Sequence, residues 1–431
     1  MNLQQLKDKY NLTELEVFTQ NTSNYKVSFV ANKLKQTESV HTTGNAVRLI
    51  KNNKIGFSAN HSLNSIEEAI LQALETLQFS PSVEIELPEL NIVENEKKIK
   101  EAPLSEYLNN CKIKGNSIIG EILNEAPDVL ADVSFDVCYT NETIENSKKL
   151  KYTHLDELHS CLINLRDTQE NNFIDIYTGI TDEKFIDYKS YLSELLKFYK
   201  LSKKSAKIQS RKLPVLFTSK ASKDLFNLVG IALNGKQINE KSSPWHNKLN
   251  RKTLSSLLSI KQDPSIGYMA RSIDNEGNKV QALSLINKGV VENFYFDSIT
   301  GSRAMPRHGS TGNGFKLSLT SLPEPHLLNM IMSCGKKTLD EIIKSIDYGL
   351  LVDQTMGGMT TNISGDMSVN VDIGFLIEKG ELIGRVKDVM ISGNIYNALN
   401  NVVELSNNPR WYWSNIYSPD ILVEGFTISA K

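Results

Sequence analysis

The sequence predicts an α+β fold with two domains: an N-terminal antiparallel sheet with helices, and a C-terminal sheet-rich domain with a few helices. The chain has 431 residues, which exceeds the length at which a single hydrophobic core usually stops growing. Segments in which apolar and polar residues alternate recur along the chain and end at residues that favour turns. Two capping-box patterns each precede apolar residues at helical spacing.

The first domain is predicted to open with strands and to continue with helices. Strands are predicted at ELEVFTQ, NYKVSFVAN, AVRLI and KIGFSAN, and the tripeptide KNN predicts a turn between the last two. Ser65 and Glu68 form a capping box, so a helix is expected to begin there. Another helix is predicted over LSEYLNNCKIKGNSIIGEIL, and later strands over DVSFDVCYT, KKLKYTHL and LHSCLINLRD.

A basic segment, SKKSAKIQSRK at residues 202–212, predicts the domain boundary because it has few apolar residues and no acidic ones. We therefore predict domains over residues 1–205 and 206–431. The second domain is predicted to open with the strand LPVLFTS and the helix DLFNLVGIALNGKQ. Strands are predicted within IGYMARSID, VQALSLINKGVVENFYF and MSVNVDIGFLIEKGELIGRVKDVMI, and Thr338 with Glu341 forms the second capping box.

The composition is that of an ordinary soluble globular protein, with 40% hydrophobic and 23% charged residues. The net charge of -2 gives no electrostatic basis for binding nucleic acid. No run of about 18 apolar residues is available to cross a membrane, and the first residues lack the apolar core of a signal peptide, so a cytoplasmic location is expected. Four dispersed cysteines without a CxxC pair favour free thiols over a disulfide framework or a zinc ribbon.

The segment GIALNGKQ, residues 230–237, is one residue away from the phosphate-loop pattern of nucleotide-binding proteins. Helical spacing precedes it where a phosphate loop would follow a strand directly, and Gln237 replaces the hydroxyl that binds magnesium. We predict instead a packed helix that stops at Asn234 and Gly235.

Histidines give no clear catalytic or metal site. His154 and His159 lie five positions apart, which places the two rings on opposite faces of a strand. His308 and Ser310 lie in the glycine-rich RHGSTGNGF, but a separation of two residues does not establish a catalytic dyad. We favour a binding or packing loop there, because glycines allow sharp turns and close backbone approach. The segment QTMGGMTTNISGDMSVNV is similar, and its backbone groups are suited to pairing with an extended peptide.

Five segments resemble, in the same order, the signatures of the TldD/PmbA family (peptidase U62). They are GNAVRLIKNNKIGFSAN, DNEGNKVQALSLINKGVVENFYFDSITGSRAM, STGNG, GLLVDQTMGGMTTNISGDMSVNVDIGFLIEKGEL and SPDILVEGFTIS. They extend from about residue 44 to the C-terminus and so cover most of the chain. The family consists of zinc-dependent peptidase subunits and their metal-free partners, once described as modulators of DNA gyrase.

The resemblance implies that this chain lacks the zinc site. In the TldD branch a helix carries HExxxH, and matching on Gly230 places the histidines at Phe226 and Ile231 and the glutamate at Asn227. The TldD branch also uses a cysteine near the C-terminus, and no cysteine follows Cys334. The ending SPDILVEGFTIS resembles the PmbA branch, also called TldE. We therefore expect no catalytic residue, metal ion or cofactor in this chain, and zinc only in a TldD-like partner.

The resemblance implies a non-catalytic subunit of a zinc metallopeptidase that acts on unfolded peptides. Its partner is expected to be a TldD-like HExxxH subunit, or a second copy in a homodimer. Ten residues are expected to border the peptide groove, unless their glycines only make tight turns: Gly309, Ser310, Thr311, Gly312, Asn313, Thr361, Asn362, Ser364, Gly365 and Asp366. Two alternatives are a self-associating scaffold protein without hydrolytic activity, and an enzyme with an unrecognised site near His308.

Overall fold

The computed structural model describes residues 2–61, 65–89, 104–168, 172–183, 187–357 and 362–430. The elements up to residue 202 are α1 (Leu3–Lys9), β1 (Glu14–Val30), β2 (Lys33–Lys51), β3 (Lys54–Asn60), α2 (Ile66–Thr76), α3 (Leu104–Glu125), β4 (Leu130–Asn146), β5 (Lys151–Asp167), β6 (Ile174–Asp182) and α4 (Lys189–Ser202). The six strands form one antiparallel sheet, the N-terminal sheet, in the order β3-β2-β1-β4-β5-β6. The predicted antiparallel sheet with helices is confirmed.

The hairpin between β2 and β3 turns at Asn52 and Asn53, whose φ angles are 53° and 57°. Asparagine adopts this left-handed conformation more readily than most residues, and two such residues in succession match the twist of the adjoining strands. Lys51 and Lys54 pair directly across the turn. The turn predicted at KNN is confirmed.

Helices cover the N-terminal sheet at separate places. Ser65 Oγ accepts the Glu68 N–H at 3.3 Å, which confirms the predicted start of α2. The buried face of α2 packs in one apolar cluster with β2. At α3, a Cβ atom on residue 115 would lie 2.1 Å from Cε2 of Phe29, so the glycine found there allows the helix to approach β1 closely.

The remaining elements of the described chain form a sheet-rich region with five short or medium helices among its described residues. They are β7 (Ser205–Ala206), β8 (Arg211–Lys212), β9 (Val215–Phe217), α5 (Ser219–Leu233), α6 (Gly235–Asn239), β10 (Ile260–Gln262), β11 (Leu283–Asn287), β12 (Val290–Val291), α7 (Ser298–Arg303), β13 (Gly314–Phe315), β14 (Glu324–Pro325), β15 (Met330–Met332), α8 (Leu339–Lys344), β16 (Tyr348–Thr355), β17 (Asp366–Glu378), β18 (Glu381–Val386), β19 (Val389–Asn394), α9 (Ile395–Asn400), β20 (Val402–Leu405), β21 (Arg410–Trp411), β22 (Ile416–Ser418), β23 (Ile421–Val423) and β24 (Thr427–Ala430). The larger sheet runs β20-β23-β9-β16-β17-β19-β24-β8, and in addition β18 pairs with β17 and β7 pairs with β18. A second sheet runs β12-β11-β10-β15-β22-β21. This arrangement confirms the predicted α+β class.

One hydrophobic cluster joins the N-terminal sheet to the larger C-terminal sheet. It combines buried side chains of α3 and α4 with those of β16 and β17. The rings of Phe198 on α4 and Phe375 on β17 stack with centroids 5.2 Å apart. Because the two regions share this core, the boundary between residues 205 and 206 stays a prediction. Within the described ranges, no helix is long and apolar enough to cross a membrane.

The strand predicted over IGYMARSID is wrong. Residues 266–274 form turns and bends, with only an isolated bridge from Ile273 to Lys279. Gly267 has a φ of 86°, which an extended strand does not allow, and Tyr268 packs edge-on against Trp411 at 5.8 Å between ring centroids. Alternation of apolar residues predicted a strand here, but tertiary contacts of the aromatic side chain determine the local backbone.

Candidate functional site

A cavity of about 630 Å³ lies between the N-terminal sheet and the C-terminal region, which we call the central cavity. Strands β1, β4 and β5 supply one wall, and α5 with the segments around residues 270, 316 and 327 supplies the other. The residues from the N-terminal sheet are Gln20, Thr140, Glu142, Asp156 and Leu158. A cavity of this size at the meeting of two regions is a common location for a ligand site.

Helix α5 is fixed at its N-terminal end by polar contacts. Its N-cap is Thr218, whose Oγ1 accepts the Ala221 N–H at 3.4 Å. In its first turn the buried Lys220 ammonium lies 2.5 Å from Asp353 Oδ2 and donates to the Tyr177 carbonyl at 2.7 Å, which ties the helix to β6 of the N-terminal sheet. The helix ends at Leu233, as the sequence predicted. Residues 230–233 and 235–237 belong to the successive helices α5 and α6, with an extended Asn234 between them, so this segment does not form a phosphate loop.

The structure places two of the three predicted zinc-site positions in the central cavity. Asn227 and Ile231 line it, together with Gly230 and Asn234, because positions three, four and seven residues apart share one face of a helix. Phe226 points away and is fully buried in the core of the C-terminal region. Asn227 and Ile231 thus lie together at the cavity, and Phe226 does not join them.

The residues of the central cavity do not fit a zinc ion. A catalytic zinc requires three protein ligands, usually from histidine, cysteine or a carboxylate. Of the two helix positions, Ile231 has no ligand atom and Asn227 offers only an amide. Among the described lining residues, Glu142 and Asp156 offer carboxylates and His326 offers the one imidazole, whose pKa is lowered by burial. In the part of the chain that the structure describes, no group of three or more His, Cys, Asp or Glu is placed to hold a metal ion.

Glu142 on β4 joins the two walls of the central cavity. Its Oε2 accepts from Arg271 Nη1 at 3.1 Å and from Asn275 Nδ2 at 3.0 Å, both on the C-terminal side. Its Oε1 accepts from Gln20 Nε2 on β1 at 3.0 Å. The Arg271 guanidinium also lies 5.6 Å from the centre of the Phe315 ring. These contacts engage the carboxylate fully, so Glu142 is a positioning group for the cavity wall.

Lys316 is a cation with an unusual environment in the same wall. Its ammonium lies 5.4 Å from the centre of the Phe18 ring and 4.7 Å from that of Phe57, and it donates to the Ser321 carbonyl. Burial lowers the pKa of Lys316 to about 8, and the positive charge of Arg48 acts in the same direction. This amine therefore loses its proton at a lower pH in the folded protein than in the unfolded chain.

In the unchanged protein, Lys316 is expected to make the free energy of unfolding rise with pH above about pH 8, and the substitution Lys316→Met is expected to remove this rise. Between the folded pKa of about 8 and the ordinary value of 10.5, the unfolded chain binds more protons at this site than the folded chain does. The free energy of unfolding therefore rises with pH over that range, by at most about 1.4 kcal/mol per pH unit. Urea unfolding of both proteins between about pH 8 and pH 9.5 measures the difference. Identical pH dependences would show that Lys316 has an ordinary pKa; Lys33→Met, at an exposed lysine, is the control.

Behind the central cavity lies a buried ion network, which sequence reasoning missed. Arg48 on β2 donates to both carboxylate oxygens of Glu16 on β1, at 3.1 and 2.9 Å, and to Glu276 Oε1 at 2.7 Å. Burial, with the nearby Glu276 charge, raises the pKa of Asp297 to about 6 and raises the pKa of Asp274. The network joins the N-terminal sheet to the DNEGN segment. The acidic residues of that segment were the one sequence feature that could have indicated an ion network, but nothing in the sequence identified Arg48 as their partner.

Residues of the predicted groove loop at 309–313 form hydrogen bonds within the protein that hold the loop in place. Asn313 is fully buried, and its Nδ2 donates to Gln262 Oε1 and to the His326 carbonyl, both at 2.8 Å. Thr311 Oγ1 donates to Asn313 Oδ1 at 2.7 Å. None of the five loop residues lines the central cavity. A role of this loop in peptide binding stays a prediction, and the contacts of Asn313 favour packing.

The second predicted groove segment lies at the start of β17. Thr361 is outside the described residues. Asn362 and Ser364 are exposed, and Gly365 has a φ of 88°, which favours glycine. Asp366 accepts from Asn394 Nδ2 at 2.9 Å and from Ser364 Oγ at 2.8 Å. This segment does not line the central cavity either, so the structure does not bring the two predicted loops together there.

The remaining histidine motifs have ordinary partners. His308 stacks on Phe296 at 5.5 Å between centroids, and no hydrogen bond joins it to Ser310 among the described residues. His154 Nε2 and His159 Nε2, both on β5, each lie 2.9 Å from a carboxylate of their own strand. A shared metal site for these two histidines is therefore excluded by their separate partners.

Comparison with known proteins identifies the family. Residues 210–430 match the family model described as PmbA/TldA metallopeptidase C-terminal domain, and residues 15–77 match PmbA/TldA metallopeptidase domain 1. The chain is 28% identical to the metalloprotease PmbA homolog of Buchnera aphidicola over 47% of this chain and 43% of that protein. It is 32% identical to the metalloprotease TldD homolog of the same species over 39% of this chain and 35% of that protein. The chain thus matches less than half the length of these two curated relatives.

A solved structure shows the same fold over the whole chain. The crystal structure of TldE from Thermococcus kodakarensis superposes with a TM-score of 0.90 at 21% identity, and covers 100% of this chain and 99% of that one. Sequence identity at this level supports only the shared fold. Family membership is supported by the match to the C-terminal family model, which covers just over half of the chain. The chain is a member of the PmbA/TldD metallopeptidase family.

Proposed function

We propose that this chain is a non-catalytic, PmbA/TldE-like subunit of a TldD/TldE-type zinc metallopeptidase that acts on unfolded peptides. One observation carries the proposal. The face of α5 that borders the central cavity presents Asn227 and Ile231 at positions where the family resemblance places a glutamate and a histidine. An amide is a poor general base, and an alkyl group cannot bind zinc, so hydrolysis would have to depend on another subunit.

The central cavity itself supports a role in holding peptides. Its mouth has exposed apolar side chains, Ile231, Met269 and Leu317, which suit the side chains of an unfolded chain. Its lining also has polar groups such as the exposed Asn227 amide, which suit a peptide backbone. A folded substrate would expose neither an extended backbone nor its apolar side chains, so selectivity for unfolded peptides would follow.

The proposed partner is a TldD-like subunit that carries HExxxH. Its zinc would supply the activated water, while this chain would complete the groove and hold the peptide. The similarity to a metalloprotease TldD homolog as well as to a PmbA homolog fits two subunits built on one fold. We also propose a cytoplasmic location, because the four cysteines Cys111, Cys138, Cys161 and Cys334 are all free thiols, as is usual in a reducing compartment.

The purified chain alone is expected to bind no stoichiometric zinc and to leave unfolded casein intact. The reason is that Glu142, Asp156 and His326, the ligand-type residues among the described lining of the central cavity, are not grouped to hold a metal ion, and a catalytic zinc requires three protein ligands. Metal analysis after dialysis, paired with a casein digest, measures both properties. Near one zinc per chain, with cleavage that a chelator abolishes, would contradict the proposal.

A further inference from the structure

We propose that a second cavity, formed by basic residues of the C-terminal region, binds acidic segments of unfolded peptides. This inference rests on the proposed function and refines it by naming a class of substrate. The cavity has a volume of about 740 Å³, and we call it the basic cavity. Its principal lining residues are Trp245, Lys248, Arg251, Lys252, Tyr396 and Asn397.

The sequence concentrates positive charge at the basic cavity. Residues 241–262 contain Lys241, Lys248, Arg251, Lys252 and Lys261 and no aspartate or glutamate. The whole chain has a net charge of -2, so this segment differs in sign from the rest of the molecule. Three of these cations line one cavity, and no acidic residue is among its described lining residues. Their combined field would attract an anionic ligand.

These cations have no counter-charge in the described parts of the chain. Lys236 and Lys261, on either side of the cavity segment, form ion pairs, whereas none of the observed ion pairs includes Lys248, Arg251 or Lys252. The carboxylate of Asp366, which contacts the lining residue Asn394, is engaged by that amide and by a serine hydroxyl. A ligand carboxylate would therefore meet cations whose charge is not already neutralised.

Other groups in the basic cavity favour a peptide over a simple anion. The rings of Trp245 and Tyr396, whose residues are 4% and 9% exposed, lie with centroids 5.1 Å apart and give the cavity a largely buried aromatic base. The Asn397 amide is exposed, and among the described residues only its backbone groups have hydrogen-bond partners. Tyr396 also donates to the Ile363 carbonyl at 3.0 Å, so the cavity adjoins the predicted groove segment at residues 362–366.

Direct binding to the isolated chain tests this proposal. The probes are a short, fluorescently labelled, disordered peptide rich in glutamate and the same peptide with glutamine in place of glutamate. We expect the glutamate peptide to bind more tightly, and rising salt to weaken its binding, because ions screen charges beyond about 8 Å at physiological ionic strength. The triple variant Lys248→Glu, Arg251→Glu, Lys252→Glu is expected to lose at least about tenfold in affinity.

A matched control separates local charge from net charge. Lys33→Glu, Lys35→Glu, Lys207→Glu changes the net charge by the same amount at exposed lysines outside the cavity lining, and it is expected to retain binding. Equal binding of the two peptides, or no loss in the triple variant when circular dichroism shows that it is folded, would overturn the proposal. Binding of a DNA oligonucleotide through the same cations, without binding of the peptide, would also overturn it. Because the assay needs neither zinc nor a partner, its result is independent of whether the subunit proposal holds.

Discussion

Replacing Arg48 by methionine is expected to lower the free energy of unfolding by about 3 to 5 kcal/mol. The Arg48 side chain and its partners Glu16 and Glu276 are each less than 5% exposed. Methionine fills a similar volume but leaves two buried carboxylates without the guanidinium that donates hydrogen bonds to both of them. Removing one member of a buried ion network costs far more than the network's net contribution, because the remaining charges stay desolvated.

The substitution is also expected to weaken the contact between the two regions. Glu276 lies in the C-terminal region, whereas Arg48 and Glu16 lie on neighbouring strands of the N-terminal sheet. Urea denaturation, followed by circular dichroism, gives the change in the unfolding midpoint. Arg307→Met is the control, since Arg307 and its partner Glu84 are 60% and 77% exposed and their loss should stay within about 1 kcal/mol. An Arg48→Met midpoint equal to that of the unchanged protein would show that the network has no such role.

Local patterns predicted the elements that local interactions determine. Ser65 caps the start of α2, a complete capping box at Thr338 starts α8, and the predicted stop of α5 at Asn234 is confirmed. In each case the determining hydrogen bonds join residues only a few positions apart, so the residue types suffice to indicate them. The Asn52–Asn53 turn belongs to the same class.

Local sequence patterns could not predict contacts between residues that are far apart in the sequence. Arg48 and Glu276 are separated by 228 positions, and nothing in either segment indicates the other. The same limit applies to the candidate site. Matching the sequence to HExxxH assigned Phe226 and Ile231 to the two histidine positions of one site. In the structure, positions five residues apart on the helix differ in direction by about 140°, and Phe226 is buried in the core. Which helix face borders a cavity depends on the sheet packed opposite it.

A complex of this chain with its cognate HExxxH subunit is expected to cleave unfolded peptides, whereas this chain alone is not. The expected gain in rate over the partner alone is at least about tenfold, because the peptide would be held by groups from both subunits before the zinc-activated water attacks. A partner variant whose HExxxH glutamate is replaced by glutamine should still associate but should not cleave. That control separates assembly from chemistry.

Co-expression of the two chains, size-exclusion chromatography and a casein assay on the separated peaks make the most direct test. We expect one co-eluting peak that contains both chains and nearly all of the activity. Separate elution, with the HExxxH protein alone cleaving casein as fast as the mixture, would contradict the proposal that this chain is a peptidase subunit.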